Sequence, residues 1–587
     1  MSETPATAGH DTAQATVPVP RRRAALIATL IAIVPFAWLT WRFNWVVDDA
    51  FISFRYARNL AEGHGLRFNV GEDPPVEGYS NFLWVLLLTP VEALGWPTPQ
   101  VSSVLSVACG LVLIWRVVRF LHMRMRLALT PLILSALFLT TLPPLAVWAT
   151  SGLAMVPSAL LVFMMFEFVL ADPRGPRGLA GGIAAALLIL LRVDGMIWAA
   201  GIIGLAGILA LQRRDRSAVK PIAICVAIAA ILLATLTVFR LAYFGWPLPN
   251  TVYAKAELSA MTLERGVKYL LRLPLEFPHL ALILAAGAVM DVGSDRVRAP
   301  GRRALWIALG GFGYVLLAGG DWMPMCRLLV PALPLAAVVF AMVLASLSSS
   351  RLVVVGCGLA AAVLSLLPAY NVHVVPSGVR KSLHFRQPVY EFCSEYERWV
   401  RQRRVTAEGT EVGLALRQYT QPSESLIAVA IGARAYYSHL VILDRAGLVN
   451  AAVAHRPTPR RRTPAGHDKV VRPAYFLKDR PTYYWAEVVT VKADAVRHME
   501  TGRRVRFGRP NRTFQSPAVN VQYEQIGFVL PPTGAPGGRK LLLLFMRRDL
   551  VDAGDKRPLT PRRPRAPSSR SVEAPSKRSD NASVPPR

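Results

Sequence analysis

Residues 45–84 read WVVDDAFISFRYARNLAEGHGLRFNVGEDPPVEGYSNFLW, and the rest of the chain is organised around this stretch. It follows an apolar run over 24–41, so Asp48 and Asp49 stand where the chain would leave hydrocarbon. A carboxylate at that boundary is costly and marks a functional-site candidate. The next residues, to about 62, predict a short amphipathic helix. Phe51, Phe54, Tyr56 and Leu60 interleave there with Arg55, Arg58 and Asn59, and Gly63 and Gly65 stop it. One aspartate reads as the N-cap of that helix. A cap uses a single carboxylate, which leaves the second for another task.

The surrounding composition sets the class. Of 587 residues 53% are hydrophobic, too apolar for an ordinary soluble chain and fitting a polytopic membrane protein. The formal charge of +30 sits largely in short runs between apolar segments and in the C-terminal tail. Orientation in a bilayer explains such runs, and no nucleic-acid partner is expected. Cys109, Cys225, Cys326, Cys357 and Cys393 have neither paired nor metal-ligand spacing, so no disulfide framework or zinc site follows; no cofactor is expected, and nothing indicates a divalent metal. The first apolar segment lacks a small-residue cleavage site and reads as a retained span.

Residues 1–23 read as a disordered cytoplasmic N-terminus. Arg21, Arg22 and Arg23 precede the first span and place the loop 42–99 outside. The segment 82–96 is apolar but contains Pro90 and Glu92, and it falls short of the roughly 20 residues a crossing needs. Laid along the interface, it leaves Arg116, Arg119, Arg124 and Arg126 inside. The spans then fall at 24–41, 100–117, 127–146, 153–171, 178–192, 194–211, 221–244, 276–292, 304–319, 328–347 and 352–369, about eleven transmembrane helices within a membrane domain 24–369. The basic turns at 172–177, 212–220, 293–303 and 348–351 all face the cytoplasm in that register.

On the opposite face lie WATSGLAM (148–155), LRVDGMIW (191–198), FGWPLPNTVYAKAE (244–257) and GGDWMPMCR (319–327). Irregular backbone at membrane depth is tolerated where it lines a cavity or is buried in protein. The expected cleft is lined by Asp48, Asp49, Arg55, Arg192, Asp194, Asn250, Tyr253, Lys255, Asp321 and Arg327, with Tyr56 beside them. Any one of these reads equally well as a structural ion pair or a helix-end anchor. Their convergence on one face is what points to a site.

From about residue 370 the hydropathy drops, and an extracytoplasmic α/β domain is expected over 370–552. SLIAVAIGARAYYSHLVILDRAGL predicts strand, short helix, strand, and later strands are expected at 484–490, 525–530 and 540–546. The basic cluster Arg460, Arg461 and Arg462 and the GHDK stretch (466–469) read either as an anion contact or as a solvated loop. Residues 553–587, rich in Pro, Ser and Arg, read as a disordered basic tail. There is no G-x-x-x-x-G-K-[ST] and no strand-linked G-x-G-x-x-G, so nucleotide-driven chemistry has no motif here.

DDAFISFRYARNLAEGHGLRFN followed by VEGYSNFLW resembles the first extracytoplasmic loop of bacterial GT-C glycosyltransferases. The likeness is strongest to the group containing the mycobacterial terminal arabinofuranosyltransferase and a flagellar-motor-associated membrane protein. TSGL (150–153), RVDG (192–195), LPNTVYAKA (248–256), GGDWM with the following Arg327, and DRAGL (444–448) are similar to that group's motifs and stand in the same order. Three departures stand out: Ala154 and Met155 where relatives read SGLE-T, RVDG for RPDG, and Asn450 for an expected Asp. The resemblance implies an inner-membrane enzyme of GT-C-like fold that transfers a sugar from a polyprenyl-phosphate donor to an envelope glycan or glycolipid acceptor outside the cytoplasm. Arabinofuranose is the sugar the nearest group suggests. A first-loop aspartate, Asp49 or else Asp48, would be the general base, and a single displacement would invert the anomeric carbon. Arg55, Lys255, Arg327 and Arg192 would receive the donor phosphate. The competing classes are a non-catalytic relative serving as an assembly or motor-associated factor, and a transporter.

Overall fold

A computed structural model describes residues 21–552 apart from 173–174, 256, 291–293, 348–349, 383–392, 459–464, 493–498, 509–516 and 532–537. The expectations for residues 1–20, for the tail 553–587 and for Arg460, Arg461 and Arg462 fall outside the described residues. The chain opens with α1 (Arg21–Arg42), whose 22 residues span about 33 Å. Then come α2 (Asp48–Ala61), α3 (Phe82–Ala93) and α4 (Thr98–Met123). α5 (Leu129–Thr141) and α6 (Pro143–Thr150) form one apolar segment bent by 52°. Pro143 and Pro144 at the bend supply no N–H to continue the ladder. α7 (Met155–Met165) runs into a π-helical turn, Phe166–Leu170, ahead of α8 (Gly178–Leu191), α9 (Gly195–Gln212) and α10 (Val219–Phe244). The short α11 (Asn250–Tyr253) leads to α12 (Ala260–Glu276) and α13 (Pro278–Val289), which meet at 100° where Pro278 follows Phe277. α14 (Asp295–Leu317), a 3₁₀ turn Arg327–Ala332, α15 (Leu333–Ser346) and α16 (Arg351–Leu366) complete the helical region.

A helix occupies each of the eleven expected spans, but among the described residues only six helices are long and apolar enough to cross a bilayer, or eight if each bent pair counts as one crossing. The shortfall has physical reasons. α8, with 14 residues, reaches only about 21 Å, and the stretch from Asp295 to Arg303 at the start of α14 carries Asp295, Arg296, Arg298, Arg302 and Arg303. α15 sits at the centre, and its span is 94% buried. This explains why it is apolar all round rather than on one face.

α3 has 12 residues, about 18 Å, too short for roughly 30 Å of hydrocarbon. Both its ends touch the same helix: Ser53 Oγ of α2 donates to Asn81 Oδ1 at 3.0 Å, and Arg58 Nε donates to Glu92 Oε2 at 3.2 Å. α2 departs from the expected interfacial helix. Ten of its fourteen residues are buried, on every face, because the C-terminal region closes over it.

That region begins with α17 (Ser377–Ser382) and α18 (Glu395–Tyr419). A capping box fixes the start of α18: Ser394 Oγ accepts from Glu397 N, and Glu397 accepts from Ser394 N. Six strands follow, β1 (Ser425–Ala428), β2 (Val441–Asp444), β3 (Tyr483–Lys492), β4 (Arg504–Gly508), β5 (Tyr523–Val529) and β6 (Gly538–Arg547), in the sheet order β2-β1-β3-β6-β5-β4. β1 pairs in parallel with β2 and β3, and the other pairs are antiparallel. The parallel β1–β2 pair needs a crossover. α19 (Gly432–Ser438) supplies it, matching the expected strand, helix, strand order. α19 packs against both α18 and α2, so the α/β region sits directly on the first loop. α18 and β4 are elements the sequence pattern did not reveal.

Candidate active site

The two adjacent aspartates point into different surroundings. Val47, not an aspartate, occupies the N-cap of α2, and its N–H donates to the Ser151 carbonyl at 3.0 Å. Asp48 caps a different helix: its carboxylate accepts from Gly432 N at 3.0 Å and from Ala433 N at 2.9 Å, the first N–H groups of α19. Burial pushes the Asp48 carboxyl up to about 6, the two N–H groups pull against that, and Asp49 adds to it. Asp48 thus joins the first loop to the α/β region, and both its oxygens are committed.

Asp49 keeps about a third of its side chain open. Its Oδ2 lies 3.7 Å from Arg327 Nη1, and Arg327 Nε donates to Asp321 Oδ2 at 2.6 Å. Enclosure raises the Asp49 pKa above its ordinary 3.8. The Arg327 cation opposes this most strongly, Asp321 reinforces it, and His467 and Lys255 oppose it more weakly. Arg327 is held from below by the Trp148 ring, 5.6 Å from its guanidinium carbon. Upstream of it Gly319 and Gly320 are both at positive φ, and a Cβ on Gly320 would fall 2.6 Å from that of Tyr269. Met325 and Cys326 take left-handed backbone (φ 54° and 47°) just before Arg327, a strained geometry for residues with a Cβ. It is held where Met325 N donates to Glu395 and Leu328 N to Tyr269 Oη at 3.2 Å.

Arg192 and Asp194 form a bidentate pair at 2.7 and 3.0 Å, with Tyr314 Oη donating to Asp194 at 3.3 Å. Burial works against ionisation of Asp194, but Arg192 more than offsets it and the carboxyl lies below its ordinary value. Lys255 is exposed between these pairs, and its charge is felt by Asp49 and Asp194. The cluster therefore holds three carboxylates and three cations, of which Asp49 and Lys255 open to solvent.

Several expected cleft residues lie elsewhere. Arg55 is buried and donates to the carbonyls of Phe68, Ala435 and Leu440 at 2.6, 2.9 and 2.7 Å, so it is no phosphate ligand. Tyr56 Oη donates to Val76 O at 2.5 Å and accepts from Gly78 N at 2.8 Å. Asn250 N donates to Glu77 O at 3.0 Å and its Nδ2 to Gly447 O and Leu448 O at 2.6 and 2.9 Å, tying the first-loop VEG stretch to the DRAGL turn. Tyr253 packs 4.5 Å from the His455 ring. Asn450 caps a short helix by accepting from Val453 N at 3.0 Å, a task Asn performs as well as Asp. Ala154 is buried at the entry to α7, where its carbonyl accepts from Ser158 Oγ at 2.7 Å.

Two contributors were not singled out from sequence. Trp148 lay inside a quoted motif without a role, and Glu395 opens a helix that the pattern did not show. His467, noted only within the GHDK stretch, stands edge-on to Trp322 at 4.8 Å.

A domain of unknown function (DUF8728) matches residues 395–531, which contain α18, α19 and most of the sheet. The chain is similar to the terminal beta-(1->2)-arabinofuranosyltransferase of Corynebacterium glutamicum, 29% identical over 348 residues, covering 52% of this chain and 49% of that one. It is also similar to the protein of the same description from Mycobacterium tuberculosis, 29% identical over 246 residues, covering 39% and 38%. The chain spans about half the length of the curated relatives it matches, or less. Among solved structures it aligns with ArnT from Cupriavidus metallidurans bound to undecaprenyl phosphate, with a TM-score of 0.46 and 13% identity over 88% of this chain and 97% of that one. The apo state of the same protein aligns with a TM-score of 0.45 and 14% identity. The chain is a polytopic α-helical membrane protein with a C-terminal α/β region, related in sequence to two terminal arabinofuranosyltransferases.

Proposed function

We propose that this protein is a glycosyltransferase of the bacterial inner membrane that moves a sugar from a polyprenyl-phosphate donor to an envelope glycan or glycolipid on the extracytoplasmic face. One observation carries the reading: of two neighbouring carboxylates one is fully committed to holding the fold, while the other keeps about a third of its side chain open, 3.7 Å from Arg327 and within the field of the exposed Lys255. In this reading Asp49 takes the proton of an acceptor hydroxyl as its oxygen attacks the anomeric carbon. The bond from that carbon to the phosphate oxygen breaks, and polyprenyl phosphate departs with the electron pair. Arg327 and Lys255 hold the charge that develops on it. A raised Asp49 pKa makes it a stronger base than an ordinary carboxylate. One base and one displacement give inversion. Asp321 and the Arg192–Asp194 pair fix the cations rather than touching substrate.

The two curated relatives make arabinofuranose the first sugar to try. The direct test incubates purified protein in lipid with a panel of radiolabelled polyprenyl-phosphate sugars and a glycan acceptor, and determines the anomeric configuration of the product. Inverted product from one donor is expected. Absence of transfer across the panel, with the protein folded, would refute the assignment.

A further inference from the structure

A second charged site lies at the end of the helical region away from Asp49. α4 starts beside the turn that holds α2, where Ser103 Oγ donates to Thr150 O and Val47 N to Ser151 O, and runs about 39 Å. Its far end and the α7–α8 connection enclose a cavity of about 260 Å³ lined by Arg116, Arg119, Arg124, Arg177, Glu167 and Asp172. Among the described residues four guanidinium groups thus face two carboxylates.

The pairing among them is uneven. Arg116 bonds Glu167 at 2.6 Å, and Asp172 receives both Arg177 at 2.5 Å and Arg124 at 3.4 Å. Among the described residues no carboxylate lies within 4 Å of Arg119, which is exposed and has Trp115 at 5.6 Å. Phe168 stands between Arg116 and Arg177, 5.2 and 6.0 Å from their guanidinium carbons, and fixes both. Glu167 and Phe168 both belong to the π-helical turn Phe166–Leu170, an irregularity that is rare and concentrated at functional sites. Trp115 and Met123, each about half exposed at the rim, set this end at the level where a bilayer meets water.

We propose that this cavity binds the phosphodiester head group of an anionic membrane lipid in the leaflet opposite the cleft. Arginines match phosphate oxygens with paired donors, and basic pockets between spans on the cytoplasmic side suit such head groups. A lipid rather than free phosphate is the occupant, because the rim carries exposed apolar side chains that acyl chains would cover. The bound lipid ties α4 to the α7–α8 connection, independently of whether Asp49 acts as a base.

The test uses the full chain in nanodiscs of phosphatidylcholine, with or without phosphatidylglycerol, and counts retained lipid by native mass spectrometry alongside thermal unfolding. Phosphatidylglycerol should be retained and should raise the melting temperature. Arg119→Gln should weaken its retention about fivefold, whereas Arg213→Gln, on an exposed loop at the same end, should not. If Arg119→Gln does not fold, Arg119→Lys, which keeps the charge but not the paired donors, should fold and retain the lipid less well than the parent. Equal retention of both lipids, parental retention by the Arg119 variants, equal loss in the Arg213 variant, or equal stabilisation by inorganic phosphate in phosphatidylcholine alone would each overturn the proposal.

Discussion

Gly432→Ala is a one-methyl test of how the α/β region holds the first loop. A Cβ on Gly432 would fall 1.7 Å from the Asp48 backbone carbonyl oxygen, against the 3.0 Å below which such contacts are essentially never seen. α2 and α19 would have to part by roughly 1.3 Å, the difference between those distances. That movement stretches both bonds from the Asp48 carboxylate to α19 beyond hydrogen-bonding range. Overpacking alone costs about 1–3 kcal/mol, and each charge-assisted bond lost adds about 1.5–3 kcal/mol. A loss of about 4 kcal/mol or more is therefore expected. Asp49 is the next residue along, and misplacing a catalytic group by about 1 Å can lower turnover about 10²-fold. The assay is thermal unfolding in nanodiscs together with sugar transfer, with Gly201→Ala as control. Gly201 lies in α9 with nothing within 4 Å of its would-be Cβ, so the control should be neutral or stabilised by up to about 1 kcal/mol. If Gly432→Ala melts and turns over like the parent, the packing of α19 on α2 described above is wrong.

Further outcomes follow from the same structure. Arg240 and Glu77 form a bidentate buried pair at 2.8 and 3.1 Å, so Arg240→Leu should cost about 3–5 kcal/mol; adding Glu77→Leu should recover much of it in a double-mutant cycle. Because enclosure raises the Asp49 pKa and Arg327 opposes that rise, kcat/KM should fall as pH drops through a pKa above 3.8. In Arg327→Gln that acid limb should move to higher pH, and an unmoved limb would separate Arg327 from the base. Reporter fusions at Arg124 and Arg214 should read cytoplasmic and one at His467 extracytoplasmic; an outside signal at Arg124 would overturn the non-crossing reading of α3.

Much of this layout was legible because it rests on local signals. Apolar runs and the β1–α19–β2 alternation depend on neighbouring residues. What escaped depends on partners far along the chain. Arg55 looked like a phosphate ligand because the carbonyls that receive it belong to Ala435 and Leu440, 380 and 385 residues away. One of the two aspartates was expected to cap α2; Val47 takes that place, and Asp48 instead caps a helix nearly four hundred residues on. α2 has the pattern of an interfacial helix and is buried only because another domain covers its polar face. α18 escaped for a different reason: its apolar residues form no single stripe, since it packs against α2, α19 and β3 at once.

The most direct test of the central claim is turnover by Asp49→Asn beside Asp48→Asn, in the same lipid and with the same polyprenyl-phosphate sugar. Asparagine keeps shape and some hydrogen bonding but cannot take a proton. Asp49→Asn should fold like the parent and lose about 10²- to 10⁴-fold in turnover. Asp48→Asn keeps one of the two acceptor oxygens that hold α19, so it should lose about 1.5–3 kcal/mol of stability, one charge-assisted bond, and keep much of its turnover. Parental turnover by Asp49→Asn would contradict the assignment of that carboxylate as the general base.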